Sequence, residues 1–193
     1  MKEHIAQELD KTRIMEPYVE IAAAWSNWTD IACLDSGEII GVMFGDTRAK
    51  DSKVVRRKLV ASEIRACAKI VFGRYGKVKR FPTLLWSFMM TEMKLLVNRP
   101  ERGAEIMLLL VDSRQRGKGI GRTLVDRFVR NALEAGSKRV SVYADDIASN
   151  WHFYESCGFR RAGLLFDNWS TYYTGDRSMG IRFILDLDHR QRT

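Results

Sequence analysis

The sequence predicts a mixed α/β domain, and three observations carry that reading. Short apolar or alternating runs of strand length recur along the chain, at Ile31–Leu34, Ile39–Phe44, Ile106–Val111 and Arg139–Ala144. Between the last two, Ile120, Leu124, Val125, Phe128, Val129 and Leu133 repeat at helical spacing. A glycine-rich turn joins that strand to that helix directly. The length of 193 residues, with 46% hydrophobic and 29% charged, fits one globular domain.

Taken in order, the chain opens with a helical pattern from roughly Glu3 to Trp28, with Ile5, Leu9, Ile14, Val19, Ile21 and Ala22 to Ala24 as its apolar residues. A hairpin comes next, turning at Asp35, Ser36 and Gly37. Two more helical patterns occupy Lys53–Phe72 and Thr83–Val97, linked by a connector, Gly73–Pro82, rich in basic residues. In the second, which includes Trp86, Met89, Met90 and Met93, methionines at this spacing read as core filler, with a lid or wall lining a binding site as the alternative. The strand Ile106–Val111 precedes the helix Gly119–Ala135, which is stopped by Gly136. A strand at Arg139–Ala144, a short helix at Trp151–Ser156 and strands at Arg161–Phe166 and Arg182–Asp188 complete the chain. The expected organisation is a single domain over residues 1–193 with a basic helical insertion at about 46–103.

Composition excludes several classes. The longest apolar run has six residues, against roughly 20 needed to span a bilayer. The opening MKEHIAQELDKTR lacks the apolar core of a signal peptide. Cys33, Cys67 and Cys157 are too scattered for a disulfide framework or a metal cluster. A soluble, reduced, cytoplasmic protein is expected. Its net charge of +8 is unevenly spread: residues 46–102 hold 15 Lys/Arg against 5 Asp/Glu, and the remainder 17 against 19. The excess lies wholly in the insertion, as a solvated face or as a surface for an acidic partner.

The chemistry concentrates at Arg116-Gly117-Lys118-Gly119-Ile120-Gly121-Arg122. Glycines at a strand-to-helix turn let backbone approach a ligand, because no Cβ intervenes. The first N–H groups of the helix lack internal partners and sit at the positive dipole end, which suits a pyrophosphate. Arg116, Lys118 and Arg122 add positive charge. The P-loop pattern is absent, and Gly117, Gly119 and Gly121 give G-x-G-x-G rather than the dinucleotide G-x-G-x-x-G.

Arg116-x-x-Gly119-x-Gly121 resembles the Gln/Arg-x-x-Gly-x-Gly/Ala turn of the GCN5-related N-acetyltransferases (GNAT). Phe153-Tyr154-Glu155-Ser156-Cys157-Gly158-Phe159 resembles their F-Y-E-x-x-G-F segment, and Asp35-Ser36-Gly37-Glu38-Ile39-Ile40-Gly41 their D-G-E-x-x-G hairpin. The likeness covers roughly residues 31–45 and 104–188 and leaves the insertion unexplained. It implies a central, mostly antiparallel mixed sheet with a splayed strand pair, and acetyl-coenzyme A as cofactor. Residues Arg116 through Arg122 would hold the pyrophosphate. The strand backbone at Leu109, Leu110 and Val111 would pair with the pantetheine arm and offer an amide to the thioester carbonyl. Tyr154 matches the tyrosine that protonates the leaving thiolate. Glu105, six residues before Val111, matches the base glutamate of histone-acetylating members. Glu38 and His152 are weaker choices for that role, and Cys157 reads as buried filler.

Some positions depart from the family. Ile147 stands where an asparagine often contacts the cofactor arm, so Ser149 or Asn150 would substitute. Ser113 replaces a common proline, and no first strand is evident. The resemblance implies transfer to a small-molecule or peptide amine, is compatible with a homodimer, and points to neither a membrane nor nucleic acid. A different class stays open: a cofactor-binding regulatory module that uses the basic insertion to bind RNA or an acidic partner.

Overall fold

The computed structural model describes residues 19–47, 65, 68, 83, 86–87, 90–91, 103–146, 150–168, 170–171 and 176–188. Six strands form one sheet: β1 (Trp28–Cys33), β2 (Ile39–Asp46), β3 (Ala104–Val111), β4 (Arg139–Asp145), β5 (Arg160–Phe166) and β6 (Met179–Asp186). Helix α1 (Ile120–Glu134) joins β3 to β4, and the short α2 (His152–Ser156) lies between β4 and β5. The strand order is β1-β2-β3-β4-β6-β5. Only β3 and β4 run parallel; the other neighbours are antiparallel.

The hairpin turns where Gly37 takes a positive φ of 84°, with Leu34 and Glu38 closing it at 2.9 Å. Helix α1 forms because of its apolar stripe. Leu124, Val125, Phe128, Val129 and Ala132 are buried, in one core cluster with Met43, Ala104, Ile106, Val140 and Val142 of the sheet. Each large side chain buried there contributes roughly 1.5–3 kcal/mol.

Two irregularities of β3 open one side of the sheet. Gly45 pairs with Ile106 and Phe44 with Leu108, so Met107 is an extra residue, a β-bulge. The bulge shifts side-chain parity: Ala104, Ile106, Leu109 and Val111 turn towards α1, while Glu105, Leu108 and Leu110 turn to the opposite face. In addition, β3 pairs with β4 only from Ala104 to Ile106, against Val140 to Val142. Beyond that point the strands part, and the edge of β3 from Met107 to Val111 faces a gap.

Some expectations shift. Residues 19–25 are helical, but Trp28 begins β1 instead of ending a helix. It pairs with Gly45, and its ring lies 5.2 Å from that of Phe128, so packing on α1 fixes it in the sheet. The last strand starts at Met179, three residues earlier than expected, because Gly180 and Ile181 continue the ladder with β4. Of the two helices expected in the insertion, only Arg65, Ala68, Thr83, Trp86, Ser87, Met90 and Thr91 are described, and each is helical. Ser87 and Thr91 are buried, whereas Trp86 is 61% exposed. Thr91 turns its hydroxyl inward to the Asp167 carboxylate. Met89 and Met93 lie outside the described residues.

Candidate active site

The turn between β3 and α1 is built from its first residue. The Asp112 carboxylate accepts the backbone N–H of Arg114 at 2.9 Å and caps the 3-10 turn Ser113–Gln115. The Arg114 guanidinium also reaches Asp112 Oδ2 at 2.6 Å and Glu38 Oε1 at 3.0 Å, fastening the turn to the β1–β2 hairpin. Hydrogen bonds from the Arg114 side chain and then its backbone N–H hold Asp112 down at about 2. Glu38 is therefore engaged in an ion pair on the hairpin.

Past the 3-10 turn, Gly117 and Gly119 take φ of 79° and 81°, and a Cβ placed on either would meet nothing within 4 Å. The backbone is bare there. Gly119 is the N-cap of α1 and offers no side-chain cap, so the N–H groups of Ile120, Gly121 and Arg122 are left as donors. These features fit a pyrophosphate: left-handed glycines, open space and free donors at a positive helix end. Exposed Arg116 and Lys118 flank it, with Lys118 Nζ 2.7 Å from Gln115 Oε1.

Arg122 does something the sequence did not suggest. Its Nη2 donates to the Ser156 carbonyl at 2.7 Å, capping the last turn of α2. One residue earlier, a Cβ on Gly121 would lie 3.2 Å from Phe153 Cζ and 3.7 Å from Val111 Cγ2, so α1, α2 and β3 come close together at this glycine. The two sequence segments that carry the family likeness thus pack against each other across the parted strands.

Tyr154 stands on α2 among Phe153, Phe159 and Phe183, with ring centroids 5.3–5.9 Å away. Burial, with a smaller effect of Cys157, pushes its phenol above the ordinary 10. Its hydroxyl has no hydrogen-bond partner among the described residues. Cys157 is buried in the core cluster. His152 is on the surface, stacked on Trp151 at 3.4 Å and 3.4 Å from Glu155 Oε2. Asn150 is exposed and accepts the Phe153 N–H at 3.0 Å through its carbonyl; residues 147–149 lie outside the described set.

Glu105 sits apart from the turn, on the sheet face away from α1. It is 3.9 Å from Nη1 of Arg182, a cation only 4% exposed on β6. Of the expected arm-binding residues, Leu109 packs on the core and Leu110 is 37% exposed. Arg182, Tyr143 and Asp167, which make the polar part of that second face, are separated in sequence and follow no motif. Among the described residues no three His, Cys, Asp or Glu side chains form a group that could hold a metal. No helix among them is long and apolar enough to cross a membrane.

A profile of the acetyltransferase (GNAT) family matches residues 3–159. Among solved structures, Naa20 of Chaetomium thermophilum in complex with a bisubstrate analogue is similar, with TM-score 0.54 and 16% identity, over 91% of this chain and 74% of that one. A Bacillus anthracis protein solved with acetyl coenzyme A gives TM-score 0.47 and 18% identity over 83% of this chain, which spans 62% of the length of that relative. The IAA acetyltransferase of Bacillus cereus gives 0.48 and 22%, over 82% and 77%. At 16% identity the Naa20 structure speaks for the fold; the profile speaks for the lineage. The chain belongs to the acetyltransferase (GNAT) family.

Proposed function

We propose that the protein, as one domain with a helical insertion, transfers acetyl to a primary amine of a small molecule or peptide by direct attack in a ternary complex. The observation that carries this reading is the juxtaposition at Gly121. An uncapped glycine turn, a strand edge left without its neighbour, and the helix that bears Tyr154 meet there within van der Waals distance.

Arg116, Gly117, Lys118, Gly119, Ile120 and Gly121 bind the pyrophosphate through backbone N–H groups and flanking charge. Arg122 supports them from below by holding α2 in place. The backbone of Leu109, Leu110 and Val111 binds the pantetheine arm by extending the hydrogen bonding that β4 leaves open, and Asn150 flanks the arm at the start of α2. Bound in this way, the cofactor supplies an acetyl group activated as a thioester. Fixing the two reactants in one cleft is the main source of rate.

Tyr154, like any phenol, keeps its proton at neutral pH, burial raising its pKa further, and delivers it to the departing sulfur. Glu105 takes the proton that the acceptor ammonium must lose, through water, with Arg182 orienting its carboxylate. Cys157 is buried in the core, which argues against an acylated thiol on the path.

The test is thiol release from acetyl-coenzyme A across a panel of primary amines, with wild type and Tyr154→Phe. Amine-dependent release that falls in the variant is expected. Cofactor binding without release for any amine would instead support the regulatory-module alternative.

A further inference from the structure

On the sheet face opposite α1, Asp167 is only 2% exposed, yet its carboxylate gathers donors from three parts of the chain. Thr91 Oγ1 donates to Oδ1 at 3.2 Å, Tyr143 Oη to Oδ2 at 2.8 Å, and the Ser170 backbone N–H to Oδ1 at 2.9 Å. A buried carboxylate is costly unless its lone pairs are met, so these donors are a condition of its position. Tyr143 reaches it by lying across Gly180, where any Cβ would overlap the phenol. Asp167 falls outside the residues matched by the family profile.

The placement of the three partners matters more than their number. Tyr143 is the first β4 residue beyond the last pair with β3, so it marks where the strands part. Thr91, 76 residues from Asp167 in sequence, belongs to the insertion and is buried with Ser87 one helical turn earlier. The α1 side of the gap is occupied by α1 and the glycine turn. An amine that meets a thioester held from that side must come from the second face, where Glu105 also lies.

We propose that Asp167 is a positioning residue that fixes the helical residues Trp86, Ser87, Met90 and Thr91 beside the strand opening, so that they form a wall of the acceptor site and set amine recognition. This role rests on the acetyl-transfer reading. Thr91 supplies the link, Tyr143 ties it to the opening, and Asp167 joins the two.

The experiment compares wild type, Thr91→Val, Thr91→Ser and Asp167→Asn in two measurements: steady-state kinetics with the best amine of the panel, and amide hydrogen exchange of the peptide carrying residues 86–91. In Thr91→Val the amine KM should rise about 5–10-fold, with kcat and acetyl-coenzyme A KM within twofold of wild type. Exchange of that peptide should speed up several-fold while α1 is unaffected, and Thr91→Ser should restore both values. Unchanged exchange in Thr91→Val overturns the anchor. Faster exchange with unchanged amine KM overturns the wall. If wild type acetylates no amine, the transfer reading fails, and exchange still decides the anchor. Thr91→Val removes a single hydroxyl, so it carries the test should Asp167→Asn fail to fold.

Discussion

The two faces of the sheet are built on different principles. The face under α1 is apolar and continuous: Met43, Ala104, Ile106, Val140, Val142 and Phe183 are all buried there, and Tyr154 joins them from α2. The opposite face buries polar groups beside apolar Ile40 and Ile184. Arg182, Asp167, Ser141 and Thr91 are each below 7% exposed. Thr91 meets Asp167, Ser141 meets backbone, and Arg182 faces Glu105. An apolar face tolerates substitution as long as volume is kept; a polar one fails when a single partner is lost. The apolar face carries the glycine turn, and the polar face carries Asp167 and Arg182, which lie beyond the residues matched by the family profile.

Changes on the two faces should therefore fail in different ways. The largest expected effect is Tyr154→Phe, which keeps the ring packing and removes the acid. Its kcat should fall about 10²-fold with little change in melting temperature. Because burial raises the phenol, the wild-type kcat profile should show no loss from Tyr154 ionisation up to about pH 10. Next comes Gly180→Ala on the polar face, where the added methyl overlaps Tyr143. Chemical denaturation should show about 1–3 kcal/mol of destabilisation, and the amine KM should rise while the cofactor KM does not. Gly119→Val forces a β-branched residue to a φ of 81°, and about tenfold weaker coenzyme A binding by calorimetry is expected. Should that variant instead lose amine affinity, the division between the faces is wrong.

The smallest effect concerns Asp186, whose carboxylate joins Arg139 at 2.7 Å and Arg160 at 2.9 Å. Those hydrogen bonds lower its pKa, Arg139 contributing most. In the unfolded chain it protonates near 4, so the stabilisation is present above that pH and fades as pH falls towards the lower folded value. At about a third exposure it is worth no more than about 1 kcal/mol. The melting difference between wild type and Asp186→Asn should shrink from pH 6 to pH 3.

The contrast also explains what was legible in the sequence. Ile120, Leu124, Val125 and Phe128 announce α1 because helical burial leaves a period, and the glycines of the turn are adjacent in the chain. The hairpin and β4 are readable for the same local reason. On the polar face the resemblance names only Glu105: Thr91 and Tyr143 meet Asp167, and Arg182 meets Glu105, only after the sheet has formed. Trp86 is exposed while Thr91 of the same segment is buried against the Asp167 carboxylate, a contact that periodicity cannot register. Arg122 reads as one more phosphate ligand until Ser156, 34 residues on, is seen to accept its hydrogen bond.

The bulge at Met107 carries a consequence for how this family can diverge. Deleting that one residue would make Ile106 and Leu108 consecutive opposite Gly45 and Phe44, a regular ladder in which Leu109 and Val111 still face α1. A deletion farther along the strand would instead exchange its two sides at once, whereas a point substitution changes one contact. The bulge is thus where β3 can shorten by a residue and keep its faces.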